Sequence, residues 1–224
     1  MTSENMKRRA GEKAVTFIED KMTIGLGSGT TVNWMLKKLG ERVREGLNVT
    51  GVSSSVKTEK LARELGIPVI GIDQVDRLDL AVDGADEADR NFTLIKGGGG
   101  SLLREKMILE LAEMKIIIVD YSKRVDELGK FPVPVEITPF AWEKTTKLVA
   151  GTGCRPELRT ADGVPFVTDN GNYILDCAFG VGKVNPELHT VLKTMTGVVE
   201  TGIFTDLADV IVTGSHHDVS IERR

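Results

Sequence analysis

Residues 22–39, MTIGLGSGTTVNWMLKKL, decide the architecture. An apolar run at 22–26 has the length of a strand, and the glycine, serine and threonine residues after it form a turn. Val32, Met35, Leu36 and Leu39 then recur at helical spacing before Gly40. Strand, loop and helix in that order make half of a parallel βαβ unit. The pattern continues in both directions. Upstream, Ala10, Ala14, Val15, Phe17 and Ile18 predict one apolar helical face over 4–20. Downstream come a strand at 48–53, a helix at 56–65 and strands at 68–72 and 78–82. A helix at 102–114 then feeds an apolar strand at 115–119.

Strands alternating with helices predict an α/β fold, Rossmann-like, with a mostly parallel sheet, helices on both faces and ligands at the strand carboxyl ends. The pattern changes near Gly129. Residues 131–139, FPVPVEITP, carry three of the seven prolines, and short strands at 155–159, 166–168 and 173–177 follow. Asp169-Asn-Gly-Asn172 suits a hairpin turn. A helix at 186–195 and a strand at 197–204 complete a smaller α+β domain, and 209–213 reads as parallel sheet again. The expected division is therefore 1–128 with 205–224 as the main domain and 129–204 as the smaller one.

Composition narrows the partners. A net charge of −4, with basic residues scattered along the chain, gives no electrostatic footprint for nucleic acid. No apolar run approaches the roughly 18 residues of a membrane span, and the first residues, MTSENMKRRAGEK, contain no apolar signal core. The expectation is a cytoplasmic protein. Cys154 and Cys177 lie outside any metal-ligand spacing and read as reduced, semi-buried thiols.

Three segments carry chemistry. Gly25-Leu-Gly-Ser-Gly-Thr-Thr31 sits between strand and helix, where backbone amides hold anions. It lacks the third glycine of a dinucleotide fingerprint and the lysine of a P-loop, and strand two ends in Ser53-Ser54-Ser55 instead of a ribose-binding acid. What is left is a hydroxyl-rich nest of Ser28, Thr30 and Thr31 suited to a phosphate monoester. Lys96-Gly-Gly-Gly-Gly100 costs chain entropy and supplies no packing, so it implies a close backbone approach. Ser101 is a plausible N-cap for the helix behind it, and Glu105 in the first turns can aim back toward the loop. Asp83-Gly-Ala-Asp-Glu-Ala-Asp89 ends an apolar strand and does not fit the calcium-loop template. Asp83, Asp86, Lys96 and Glu105 occupy strand-end and loop positions that are expected to converge at one sheet edge, where crowded carboxylates beside a lysine divide acid and base roles. Eight of the 24 glycines lie in these three segments; the other 16 in 216 residues make about 7%, the ordinary share, so the surplus belongs to the loops.

Together VDGADE at 82–87, KGGGG at 96–100 with REK at 104–106, GLGSGTT at 25–31 and KFPVPVEI at 130–137 resemble the type A family of ribose-5-phosphate isomerases. The likeness covers essentially the whole chain, including VTDNGNYILD at 167–176 and GVVETGIF at 197–204. Thr30 stands where a serine is common in that family, and Leu103 where some relatives have threonine. The resemblance implies an aldose–ketose isomerase needing no cofactor and no metal. It makes Glu105 the base that moves a proton between C2 and C1, Lys96 an oxyanion stabiliser, and Asp83 and Asp86 handlers of hydroxyl protons. Ser28, Gly29, Thr30, Thr31, Lys123 and Lys7 would bind the phosphate, with Gly84, Ala85, Gly97, Gly98 and Gly99 against the sugar. It further implies a homodimer or homotetramer, joined in part through the smaller domain.

Three rival readings stay open at this level: a noncatalytic sugar-phosphate sensor, a coenzyme A transferase with Glu105 as nucleophile, and a metal-dependent hydride-shift isomerase using His216 and His217. Binding without turnover, an acyl-enzyme mass and chelator sensitivity respectively distinguish them.

Overall fold

The computed structural model describes residues 2–224, and the chain divides into two compact units. The first comprises Met1–Ala85, Arg104–Arg124 and Asp206–Arg224; the second comprises Asp86–Leu103 and Val125–Thr205.

The first unit contains a seven-stranded sheet in the order Val219–Arg223, Val210–Gly214, Ala112–Asp120, Leu78–Gly84, Thr23–Leu26, Thr50–Ser53, Val69–Ile70. All neighbours are parallel except the first pair. The fold class read from the sequence is thus the one observed. Side chains alternate across the sheet: Ile24, Leu26, Leu80, Val82, Ile116 and Ile118 pack with Ala10, Ala14, Val32, Met35, Leu36 and Leu39 on one face. Each fully buried Val, Leu, Ile or Met among them stabilises the unit by about 1.5–3 kcal/mol. On the opposite face Gly25 leaves room for Ile108 of the helix Leu102–Leu111.

Local physics moves several boundaries. The first helix ends at Ala14 and tightens into a 3₁₀ turn, Val15–Phe17, whose carbonyl end Arg42 catches by donating to Val15 O and Ile18 O at 2.9 Å each. The second, Thr30–Arg44, runs through Gly40 because the Leu65 carbonyl sits 2.9 Å from where a side chain would begin, so this glycine serves close packing and not termination. The helix expected to reach residue 114 stops at Leu111, since Ala112 already pairs with Leu78 in the sheet.

The second unit holds an antiparallel sheet in the order Val198–Thr201, Val133–Ile137, Tyr173–Ala178, Arg155–Leu158. The helices Trp142–Ala150 and Pro186–Lys193 contribute Val149 and Leu192 to its core with Val133, Val135, Ile137, Leu175 and Cys177. A three-stranded sheet, Ile203–Phe204, Leu94–Ile95, Glu87–Ala88, and a small hairpin, Thr160–Ala161 with Val164–Pro165, complete it. The proline-rich stretch thus supplies a central strand, and the run 197–204 is two strands broken at Gly202. The two thiols are free: Cys154 is half-buried and Cys177 buried. The interaction between the two thiols lowers the Cys154 pKa to about 7, and that interaction together with burial raises that of Cys177.

Candidate functional site

In the first unit the glycine loop is built around Asp83. This carboxylate is 2% exposed at the end of the strand Leu78–Gly84, and its Oδ1 accepts from Ser28 N at 3.0 Å and Gly84 N at 2.7 Å. A Cβ on residue 27 would overlap that carboxylate, so the glycine is required by close approach. Gly27 N also donates to Val82 O at 2.9 Å, tying the loop to the strand end. Ser28 Oγ lies 2.8 Å from Ser54 Oγ, 3.0 Å from Ser55 Oγ and 3.2 Å from Thr58 Oγ1. Thr58 in turn donates to Gly27 O at 2.9 Å, closing a hydroxyl floor beneath the turn.

Gly29, at φ +109°, precedes the helix Thr30–Arg44 with open space around it. Thr30 is exposed and Thr31 half-buried, so the first-turn amides, which have no intrahelical acceptor, are presented at an accessible helix N-terminus. Gly11, one turn after Lys7, abuts Thr31 O and Met35 N of that helix. Lys7 itself pairs with Glu4 at 3.2 Å, and Trp34 Nε1 and Lys7 together hold the Glu4 carboxyl below its ordinary range. Lys123 is half-buried in the 3₁₀ turn Tyr121–Lys123, which follows the strand Ala112–Asp120 and is capped by Asp120 accepting from Ser122 N at 3.0 Å. Glu105, 4% exposed, sits in the first turn of the helix Leu102–Leu111.

The second unit carries Asp86, Lys96 and the glycines. Lys96 is 2% exposed; it follows the strand Leu94–Ile95 of the three-stranded sheet, not a strand of the seven-stranded one, and its Nζ lies 5.4 Å from the centre of the Phe204 ring. Gly97 and Gly100 adopt φ of +99° and +89°, and Gly100 N donates to Gly97 O at 3.0 Å, making a tight turn that exposes Gly98 and Gly99. Asp86 accepts from Gly98 N at 2.8 Å. The remaining acids of the cluster have structural work: Glu87 accepts from Gly129 N at 2.8 Å and Phe131 N at 2.6 Å, and Asp89 closes a turn by accepting from Asn91 N and Thr93 N. In the first unit Gly84, the last residue of the strand Leu78–Gly84, and Ala85 after it are half-buried. His216 and His217 are exposed in the turn before the last strand.

These positions can be set beside known proteins. The family profile described as ribose 5-phosphate isomerase A (phosphoriboisomerase A) matches residues 50–218. The chain belongs to that family. It is 49% identical over 216 residues to ribose-5-phosphate isomerase A of Bacillus mycoides (strain KBAB4), covering 96% of this chain and 98% of the relative. To the Thermomicrobium roseum protein of the same name it is 44% identical over 227 residues, covering 100% and 96%. Among solved structures, a D-ribose-5-phosphate isomerase in complex with phospho-erythronic acid is 41% identical with a TM-score of 0.96, each chain covered completely. Ribose 5-phosphate isomerase A of Methanocaldococcus jannaschii is 36% identical with a TM-score of 0.94, again over the whole of both chains.

Sequence reasoning missed Ser54, Ser55 and Thr58 as the floor under Ser28; the clue was present in the run of hydroxyl residues after strand two. It also missed Arg159, whose guanidinium reaches the glycine turn of the second unit.

Proposed function

We propose that this protein interconverts ribose 5-phosphate and ribulose 5-phosphate by general-base proton transfer through a cis-enediol. The observation that carries the reading is the end-to-end match to a ribose-5-phosphate isomerase holding phospho-erythronic acid. That compound is a phosphorylated four-carbon sugar acid whose planar carboxylate has the charge and shape of an enediolate, and tight binding of such a mimic is a property of isomerase sites.

In this reading Glu105 takes the C2 proton of the open-chain aldose and returns it to C1, which requires one carboxylate oxygen within about 3 Å of each carbon. Its burial supports the role, because a base shielded from bulk water exchanges its proton slowly enough to return it, while solvent hydrogen still enters over repeated turnovers. Charge builds on the carbonyl oxygen as the proton leaves; Lys96 and neighbouring loop amides stabilise it, and Gly97, Gly98 and Gly99 let the substrate oxygens approach the main chain. Asp83 and Asp86 carry the hydroxyl protons, including those that move when the furanose ring opens. The phosphate sits on Ser28, Gly29, Thr30 and Thr31, with Lys123 and Lys7 supplying positive charge, and Gly84 and Ala85 bound the sugar. No step needs a metal or cofactor. The work belongs to the cytoplasm and to sugar-phosphate interconversion in the non-oxidative pentose phosphate branch; among the described residues, no helix is long and apolar enough to cross a membrane.

The same reading makes residues 1–128 and 205–224 the catalytic domain and 129–204 a domain that joins copies of the chain, although by compactness 86–103, with Asp86 and Lys96, groups with 125–205. Among the described residues, six of the ten exposed large apolar side chains, Phe140, Leu148, Val164, Val167, Val181 and Val191, lie in the latter span, with Phe140 88% exposed, and this supports a homodimer or homotetramer. Light scattering is expected to give a multiple of 24.4 kDa; a mass of one chain counts against the assembly. Purified protein supplied with ribose 5-phosphate alone is expected to form the ketose, and absence of ketose removes the reading.

A further inference from the structure

Arg159 stands outside every role described above, yet it is the best-anchored cation of the second unit. Its backbone is fixed on both sides, N donating to Ile174 O at 2.8 Å and O accepting from Phe166 N at 2.9 Å. Its guanidinium forms a fork with Asp176, Nε to Oδ2 at 2.9 Å and Nη2 to Oδ1 at 2.5 Å, with side chains only 14% and 26% exposed. Asp176 lies inside the strand Tyr173–Ala178, paired on both edges, so the fork has a rigid base. The remaining nitrogen, Nη1, donates to Gly97 O at 2.9 Å and to Gly98 O at 3.2 Å. Phe166 lies 5.9 Å from the guanidinium carbon and fills the space a side chain on Gly100 would need.

A trans peptide points its C=O and the following N–H in opposite directions. Drawing the Gly97 and Gly98 carbonyls toward Arg159 therefore turns the Gly98 and Gly99 amides away from it. Gly98 N spends its hydrogen bond on Asp86; the Gly99 amide belongs to an exposed residue with no atom near its missing side chain. Resting on the isomerase reading, we propose that Arg159, held by Asp176, is a positioning residue that aims the Gly99 amide at the developing oxyanion and, through the Gly98 amide, fixes Asp86 beside it. The cation also polarises both peptides, making their N–H groups stronger donors to negative charge. Without the clamp the four successive glycines are held only by the Gly98 N–Asp86 and Gly100 N–Gly97 O bonds, which leave the two carbonyls unanchored. Lysine replaces it only in part, because one ammonium does not span the carboxylate fork and two carbonyls together.

The test uses Arg159→Met and Asp176→Asn in the full chain, with ribose 5-phosphate as substrate and phospho-erythronic acid as probe. Misaimed donors are expected to lower kcat about 10- to 100-fold and to weaken the probe by a similar factor, with KM changed less than about threefold. Arg159→Lys is expected to fall between. Titration with the probe separates this from damage to the fold: a structural defect lowers the number of sites at unchanged affinity, whereas misaimed amides lower affinity at an unchanged number. If both variants keep kcat within about twofold of the parent, or lose sites without losing affinity, the positioning role is wrong. The parent protein settles the underlying reading separately, since a parent that makes no ketose refutes the isomerase assignment whatever the variants do.

Discussion

Glu105→Gln is expected to lower kcat about 100- to 10,000-fold while leaving KM for ribose 5-phosphate nearly unchanged, because the substitution removes a proton acceptor and keeps the shape. The loop at 25–31 proposed to hold the phosphate and the glycine turn at 97–100 are separate segments from Glu105, so binding is expected to survive the change. The buried position of Glu105 makes a melting curve a necessary companion: the variant should unfold within a few degrees of the parent. Turnover within about tenfold of the parent, in a folded variant, removes Glu105 from the role of base.

The second large effect is expected at Gly27→Ala. The new methyl would occupy the position of the Asp83 carboxylate, which is itself fixed by Ser28 N and Gly84 N. Backbone or carboxylate must move, at a cost of about 1–3 kcal/mol for overpacking. A displacement near 1 Å in a proton-handling group costs about 100-fold, so kcat/KM is expected to fall by that order. Thermal denaturation and steady-state kinetics check the two parts. A variant with unchanged kcat/KM shows that Asp83 tolerates displacement and has no part in the chemistry.

The first unit was legible because its signals are local. The strand, turn and helix of residues 22–44 announce themselves within a few positions, and the alternation of such units implies a parallel sheet. The helix Trp142–Ala150 was not legible: its N-cap is Ala141 in the left-handed region at φ 52°, with no side-chain cap, so the usual start signal is absent. Nor was the edge strand Val219–Arg223, whose mostly exposed, polar side chains read as a tail.

The candidate site divides in the same way. Asp83, Asp86, Lys96, Glu105 and the glycines stand out because residue type and position beside a strand or helix end coincide. The sequence reading singled out Asp83 and Asp86, but it did not foresee the structural work of Glu87 and Asp89, since the backbone donors that occupy that pair come from turns shaped by tertiary structure. The contacts to Ser28 span 26 to 30 positions and the Arg159 clamp spans 61 and 62, distances over which no periodicity carries information.

Proton transfer by a single shielded base is the central claim, and solvent isotope labelling tests it most directly. Ribose 5-phosphate converted in deuterated water is expected to give ribulose 5-phosphate carrying deuterium at C1, with none in the absence of protein. Ketose that forms rapidly with the original C2 hydrogen wholly retained at C1, even over prolonged equilibration, would contradict the account and indicate hydride shift instead.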